Sequence, residues 1–259
     1  MHELLATPVT KIRFTFQDFA KVFGLSIGLT ALFIALFSFF PGATEFMGGM
    51  HPSLSFLFTY LIQFAILFFP LWFFVIDRYD SKLKDFGFKK VKPLSFLGNV
   101  ILVYGAYLLF ALAFGVLVYV LGLELPGYGQ QESYVPFFGD DALGLAVGVL
   151  FVVFVAPFIE ELYFRGFIYR TFTKTWPVYL GSVATAIVFA FVHLQLEAFI
   201  PLFIVGLFLN WAYERTKSVW VAVGFHMLNN AVAFSMDVYL YHHPELLESI
   251  DTFTAFILH

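Results

Sequence analysis

The sequence has no cysteine and few charges. With no Cys among 259 residues, a disulfide framework, a thiolate nucleophile and a cysteine-based metal site are excluded. Charged residues make up 12%, against roughly 25% in ordinary soluble domains. The N-terminal stretch lacks a short apolar core followed by a small-residue cleavage site, so no removable signal peptide is expected. There is no low-complexity tract and no repeat with a period of roughly 20–50 residues. No His-Glu-x-x-His occurs, which removes the commonest helical zinc scaffold.

What remains is apolar. Hydrophobic residues make up 61% of the chain, and 38 residues are Phe. Surface-to-volume scaling leaves a soluble fold of this length unable to hide so much apolar surface. A bilayer removes the difficulty, because each crossing of its hydrocarbon layer, about 30 Å thick, uses about 20 apolar residues. The expected fold is therefore all-α: a polytopic transmembrane helical bundle of about seven to eight helices. Apolar runs place the spans at 22–40, 54–76, 96–122, 143–172, 177–193, 199–213 and 218–237. The fourth is too long for one plain crossing and calls for tilt or an interfacial extension. The tail 244–259 reads as a short amphipathic helix, and either terminus is a candidate for an eighth helix. The chain divides into N-terminal helices without a motif (1–139), a motif-bearing core (140–237) and a C-terminal tail (238–259).

Charge placement orients the bundle. The 14 Lys and Arg residues lie in the N-terminal leader, the 77–95 loop, the 165–174 stretch or the 214–217 turn. The alternate segments carry none, but hold Glu45, Glu124, Glu132, Asp140, Asp141, Glu197, Glu245, Glu248 and Asp251. The positive-inside rule then puts the N-terminus in the cytoplasm, in a plasma or endoplasmic-reticulum membrane. The bilayer is the first partner, and no nucleic-acid partner is expected.

Ionisable groups inside a span cost several kcal/mol and are functional candidates by default. Glu160-Glu161-Leu162-Tyr163-Phe164-Arg165 follows an apolar run. Glu161 and Arg165 share a helix face and can pair, while Glu160 points about 100° away. His193 closes the fifth span, and His226 and Asn230 stack at i and i+4 on the seventh. Asp237, near the outer end, reads as interfacial. Blander readings exist for each: an interfacial helix end for the acids, a structural hydrogen bond for His193, helix-to-helix hydrogen bonds for His226 and Asn230. Depth argues for a common site. Glu160 and His193 each lie about 16 residues from the turn at 173–177, hence at roughly 25 Å from it. His226 and Asn230 climb roughly 15–21 Å from the turn near Thr216. A carboxylate and an imidazole can deprotonate a water, and a second His with an Asn can stabilise an oxyanion.

Taken together, Glu160-Glu161-x-x-x-Arg165, Phe189-x-x-x-His193 and His226-x-x-x-Asn230 resemble the signature of the CAAX-protease and bacteriocin-processing family, which includes the type II CAAX prenyl endopeptidases and the prokaryotic Abi proteins. The likeness covers roughly residues 140–237. It implies an intramembrane glutamate protease without a cofactor. Glu160 would be the base acting with His193, His226 and Asn230 would stabilise the tetrahedral intermediate, and Glu161 and Arg165 would orient or support them. The substrate would be a peptide or a lipidated protein, a prenylated C-terminal peptide in the eukaryotic branch. Three alternatives stay open: a zinc metalloprotease using Glu160, His193 and His226, a proton-coupled carrier, and a non-enzymatic scaffold or immunity protein.

Overall fold

A computed structural model describes residues 13–128 and 132–249. Among them there is no strand, and eight principal helices follow in order. They are α1 (Phe16–Phe39), α2 (Pro41–Gly48), α3 (Pro52–Asp77), α4 (Pro93–Leu121), α5 (Ala142–Thr175), α6 (Val178–Val192), α7 (Phe199–Thr216) and α8 (Val219–His242). Six of them (α1, α3, α4, α5, α7 and α8) are long and apolar enough to cross a bilayer. The fifth expected span, α6, has 15 residues. It rises about 22 Å, short of a full crossing. Large apolar side chains such as Phe39, Leu109 and Val120 stand exposed on the outside of the bundle, as lipid-facing surfaces require. The tail is helical over Pro244–Ser249, and the rest of the expected 244–259 helix lies outside the described residues.

Two boundaries differ from expectation for a local reason. The first helix starts at Phe16 rather than 22, because Thr15 and Asp18 make a reciprocal capping box. Asp18 is almost fully buried and also accepts from Tyr79 Oη at 2.8 Å, which ties the start of α1 to the end of α3. The last span runs on to His242. Asp237 therefore lies within a helix, where its carboxylate accepts from the Tyr134 backbone N–H at 2.9 Å.

The long fourth span is one helix of 34 residues with two π-helical stretches, Val149–Val155 and Leu162–Tyr169. Pro157 and both glutamates lie in the α-helical segment between them. A proline inside a helix removes one N–H and collides with the carbonyl four residues earlier. The widened turn before Pro157 accommodates that collision. α7 and α8 form the centre of the bundle: half of α7's apolar window is buried, against 11% for α1. Close approach of α6 and α7 depends on Gly206, where a Cβ would meet the Ala186 backbone at 3.0 Å, a small-residue contact typical of membrane helices.

Candidate active site

The site grows out of three helices. α5 carries Glu160 and Glu161, α6 ends at His193, and α8 carries His226. After the short α6 the chain reverses at once through Leu194 (φ 55°) and the single 3-10 turn Leu196–Ala198. That reversal holds His193 at the depth of the glutamates. Glu160 Oε2 lies 3.8 Å from His193 Nε2 and 3.9 Å from His226 Nε2. This oxygen is buried and accepts no hydrogen bond from the described residues, although the side chain as a whole is 26% exposed. Glu160 thus faces two imidazoles at once, each just beyond direct hydrogen-bond reach.

The far nitrogen of each ring is already committed. His193 Nδ1 meets the Phe189 carbonyl at 2.7 Å. A carbonyl only accepts, so Nδ1 carries the hydrogen. His226 Nδ1 meets Glu161 Oε1 at 2.8 Å, and the same oxygen accepts from Arg165 Nη1 at 2.9 Å. A carboxylate held by a guanidinium accepts, so here too Nδ1 is the donor. Both Nε2 atoms are thereby the ones turned toward Glu160, because the hydrogen bond at Nδ1 sets the orientation of each ring.

Phe189 sits where these groups meet. Its ring lies 4.7 Å from that of His193 and 5.9 Å from that of His226, and the Arg165 guanidinium stands 4.8 Å from its centroid. The aromatic at this place packs the two histidines against the buried cation; it does not line the groove described below.

Glu160, His193 and His226 come together, and Glu161 and Arg165 form a fully buried i, i+4 pair beneath them. Asn230 makes no hydrogen bond to Glu160, His193 or His226. Its amide nitrogen donates to the Val152 carbonyl at 3.0 Å, in the first π-helical stretch of α5. That uses one of its two N–H groups. Sequence reasoning missed Asn210, a fully buried residue of α7 that binds Arg165. The signal was available, since Asn210 is polar inside an apolar span, but it lies in none of the three motifs.

An apolar groove of about 490 Å³ runs between α3 and α5, lined by Phe64, Leu67, Phe68, Phe154, Phe158 and Met227 among others. Its remaining lining includes Ile159, Leu162 and Tyr163, which flank the two glutamates, while Met227 follows His226. The polar cluster therefore adjoins a purely apolar channel of the size of a ligand pocket.

Two imidazole nitrogens and a carboxylate oxygen have the donor chemistry of a catalytic zinc site. Among the described residues, however, no set of three or more His, Asp or Glu side chains gathers closely enough to hold a metal ion.

Comparison with family models points to the same region. Residues 142–232 match the family model described as type II CAAX prenyl endopeptidase Rce1-like. A Bacillus subtilis protein named "Putative membrane peptidase YdiL" is 21% identical over 112 residues, 43% of this chain and 46% of that protein. An Escherichia coli protein named "Uncharacterized 24.3 kDa protein" is 30% identical over 147 residues, 53% of this chain and 66% of that protein. The chain thus covers less than two thirds of either relative. No solved structure is matched.

Proposed function

We propose that this chain, whose residues 142–232 match the model of the Rce1-like type II CAAX prenyl endopeptidases, is an intramembrane endopeptidase driven by a glutamate-activated water. The observation that carries the reading is the convergence of Glu160 Oε2 on His193 Nε2 and His226 Nε2 at 3.8 and 3.9 Å. A water between the Glu160 carboxylate and the bare Nε2 of His193 donates to both. Glu160 takes its proton as the hydroxide oxygen adds to the carbonyl carbon of the scissile amide. The proton then passes to the leaving nitrogen, the C–N bond breaks, and a carboxylate and an amine depart.

His226 and Asn230 are assigned to the oxyanion. His226 donates a hydrogen bond from its Nδ1–H to Glu161 Oε1, so donation from Nε2 as well requires the imidazolium. Asn230 brings its second N–H.

The adjoining groove fits an apolar tail rather than a charged peptide end, so the substrate class is a lipidated or membrane-embedded peptide. The zinc reading has the donor chemistry in its favour and the spacing against it, and no step is derived through a metal.

The test is cleavage of a prenylated CAAX peptide and of a plain transmembrane peptide by detergent-purified protein, with and without a strong chelator. Cleavage that survives the chelator and is lost in Glu160→Gln supports the proposal. Cleavage abolished by the chelator and restored by zinc overturns the metal-free mechanism. Failure to cleave either peptide overturns the substrate class.

A further inference from the structure

α7 contributes no residue to the three motifs, yet it supplies two of the three partners of the cation beneath the site. Arg165 Nε donates to Asn210 Oδ1 at 3.1 Å and Nη2 donates to the Gly206 carbonyl at 2.8 Å, both on α7. Nη1 is the nitrogen left to serve Glu161 Oε1. Asn210 is itself pinned, because its Nδ2 donates to the Ser182 carbonyl on α6 at 2.9 Å. The two partners fix which way the amide points: Nε only donates and a carbonyl only accepts, so the side chain cannot flip. Asn210, Arg165 and Glu161 are all fully buried.

We infer that Asn210 is a positioning residue for the reaction: it locks the Arg165 guanidinium in the plane that delivers Nη1 to Glu161 Oε1, and so fixes the carboxylate that orients His226. The inference rests on the peptidase reading for its catalytic consequence. What makes it more than helix-to-helix adhesion is the state of Glu161. Its Oε1 accepts from both Arg165 and His226, while its Oε2 is buried and accepts nothing from the described residues. A carboxylate with one doubly used and one idle oxygen has competing orientations, in which Oε2 takes one of the two donors. The fork of Arg165 selects among them only if the guanidinium cannot rotate, and three anchors on three sides prevent rotation. Without Asn210, Nε loses its acceptor and the plane is free to tilt about the two remaining bonds. Glu161 then redistributes its oxygens, and the Nδ1 hydrogen of His226 loses its fixed acceptor.

The experiment has a readout that needs no substrate. In full-length protein labelled with 15N-histidine, the His226 signal is identified by its loss in His226→Gln. Wild type is expected to show His226 held with its hydrogen on Nδ1. Asn210→Ala is expected to shift or broaden that signal, and to lower kcat about 10- to 100-fold, the usual effect of removing an outer-shell partner, with KM little changed. Asn210→Asp keeps an acceptor for Nε in the same volume, so its His226 signal and kcat should lie closer to wild type. It also serves where Asn210→Ala does not yield monodisperse protein. An unchanged His226 signal in Asn210→Ala, or no recovery in Asn210→Asp, overturns the inference. If wild type cleaves no peptide while the signal still responds to Asn210, the peptidase reading fails and the positioning role stands.

Discussion

At the scale of the residue, two adjacent glutamates have opposite roles. Glu160 is partly exposed and pairs with nothing at hydrogen-bond distance, whereas Glu161 is fully buried between Arg165 and His226. Glu160→Gln is therefore expected to abolish cleavage and leave the melting temperature in detergent nearly unchanged. Glu161→Gln removes the countercharge of a fully buried guanidinium, which costs about 3–5 kcal/mol, so its expected outcome is a lower melting temperature or loss of folded protein. Equal effects of the two substitutions on stability would contradict this division. Outside the spans, Asp141 caps α5 through the Gly144 N–H at 2.7 Å and meets His51 Nε2 at 3.0 Å. The Gly144 bond first, and then His51, hold its carboxyl below the ordinary range. A depressed folded-state value means that the cap contributes fully above the unfolded value, about 3.9, and that its contribution is lost as the pH falls through the lower folded one. Asp141→Asn should remove that acid-side dependence from a melting-temperature profile; a profile identical to wild type would refute the cap's role.

At the scale of the element, the deciding features are breaks in regularity. α5 reaches 34 residues with its glutamates between two π-helical stretches, and such distortions concentrate at functional sites. α6 stops at His193 instead of crossing fully. The approach of α7 to α6 is set by Gly206, whose carbonyl also holds Arg165. Gly206→Leu pushes a side chain into the Ala186 backbone and is expected to cost about 1–3 kcal/mol, the range for overpacking. Because the displaced carbonyl is an Arg165 anchor, cleavage should fall further than the lost stability explains. A variant destabilised but fully active at low temperature would separate the packing from the site. The 3.6-residue periodicity made Glu161–Arg165 and His226–Asn230 legible in the sequence. It did not reveal the π turns, which arise where Pro157 and packing against α8 disturb the hydrogen-bond ladder.

At the scale of the whole molecule, the alternation of basic and acidic segments makes the most exposed prediction. The absence of native cysteine gives a clean background for labelling. Lys84 and Glu124 are exposed in the loops at opposite ends of α4. In intact cells, Glu124→Cys should react with a membrane-impermeant maleimide and Lys84→Cys should not, with both reactive after lysis. The reverse pattern would invert the orientation, and labelling of both from outside would remove α4 as a crossing.

Composition alone determined that the chain is a helical membrane bundle, because no soluble arrangement buries so much apolar surface and only helices satisfy the backbone of such spans in lipid. Spacing along single helices, with helix rise, also determined that Glu160, His193 and His226 stand at a shared depth. Which way they face was decided by the tertiary structure, since side-chain direction around a helix has meaning only once its neighbours are fixed. The same holds for the idle oxygen of Glu161, for the diversion of Asn230 to Val152, and for Asn210. An uncharged amide on a motif-free helix carries no mark in the sequence of the guanidinium it holds. Only packing α7 between α5 and α6 brings the two together, and burial then requires every one of their polar atoms to choose a partner.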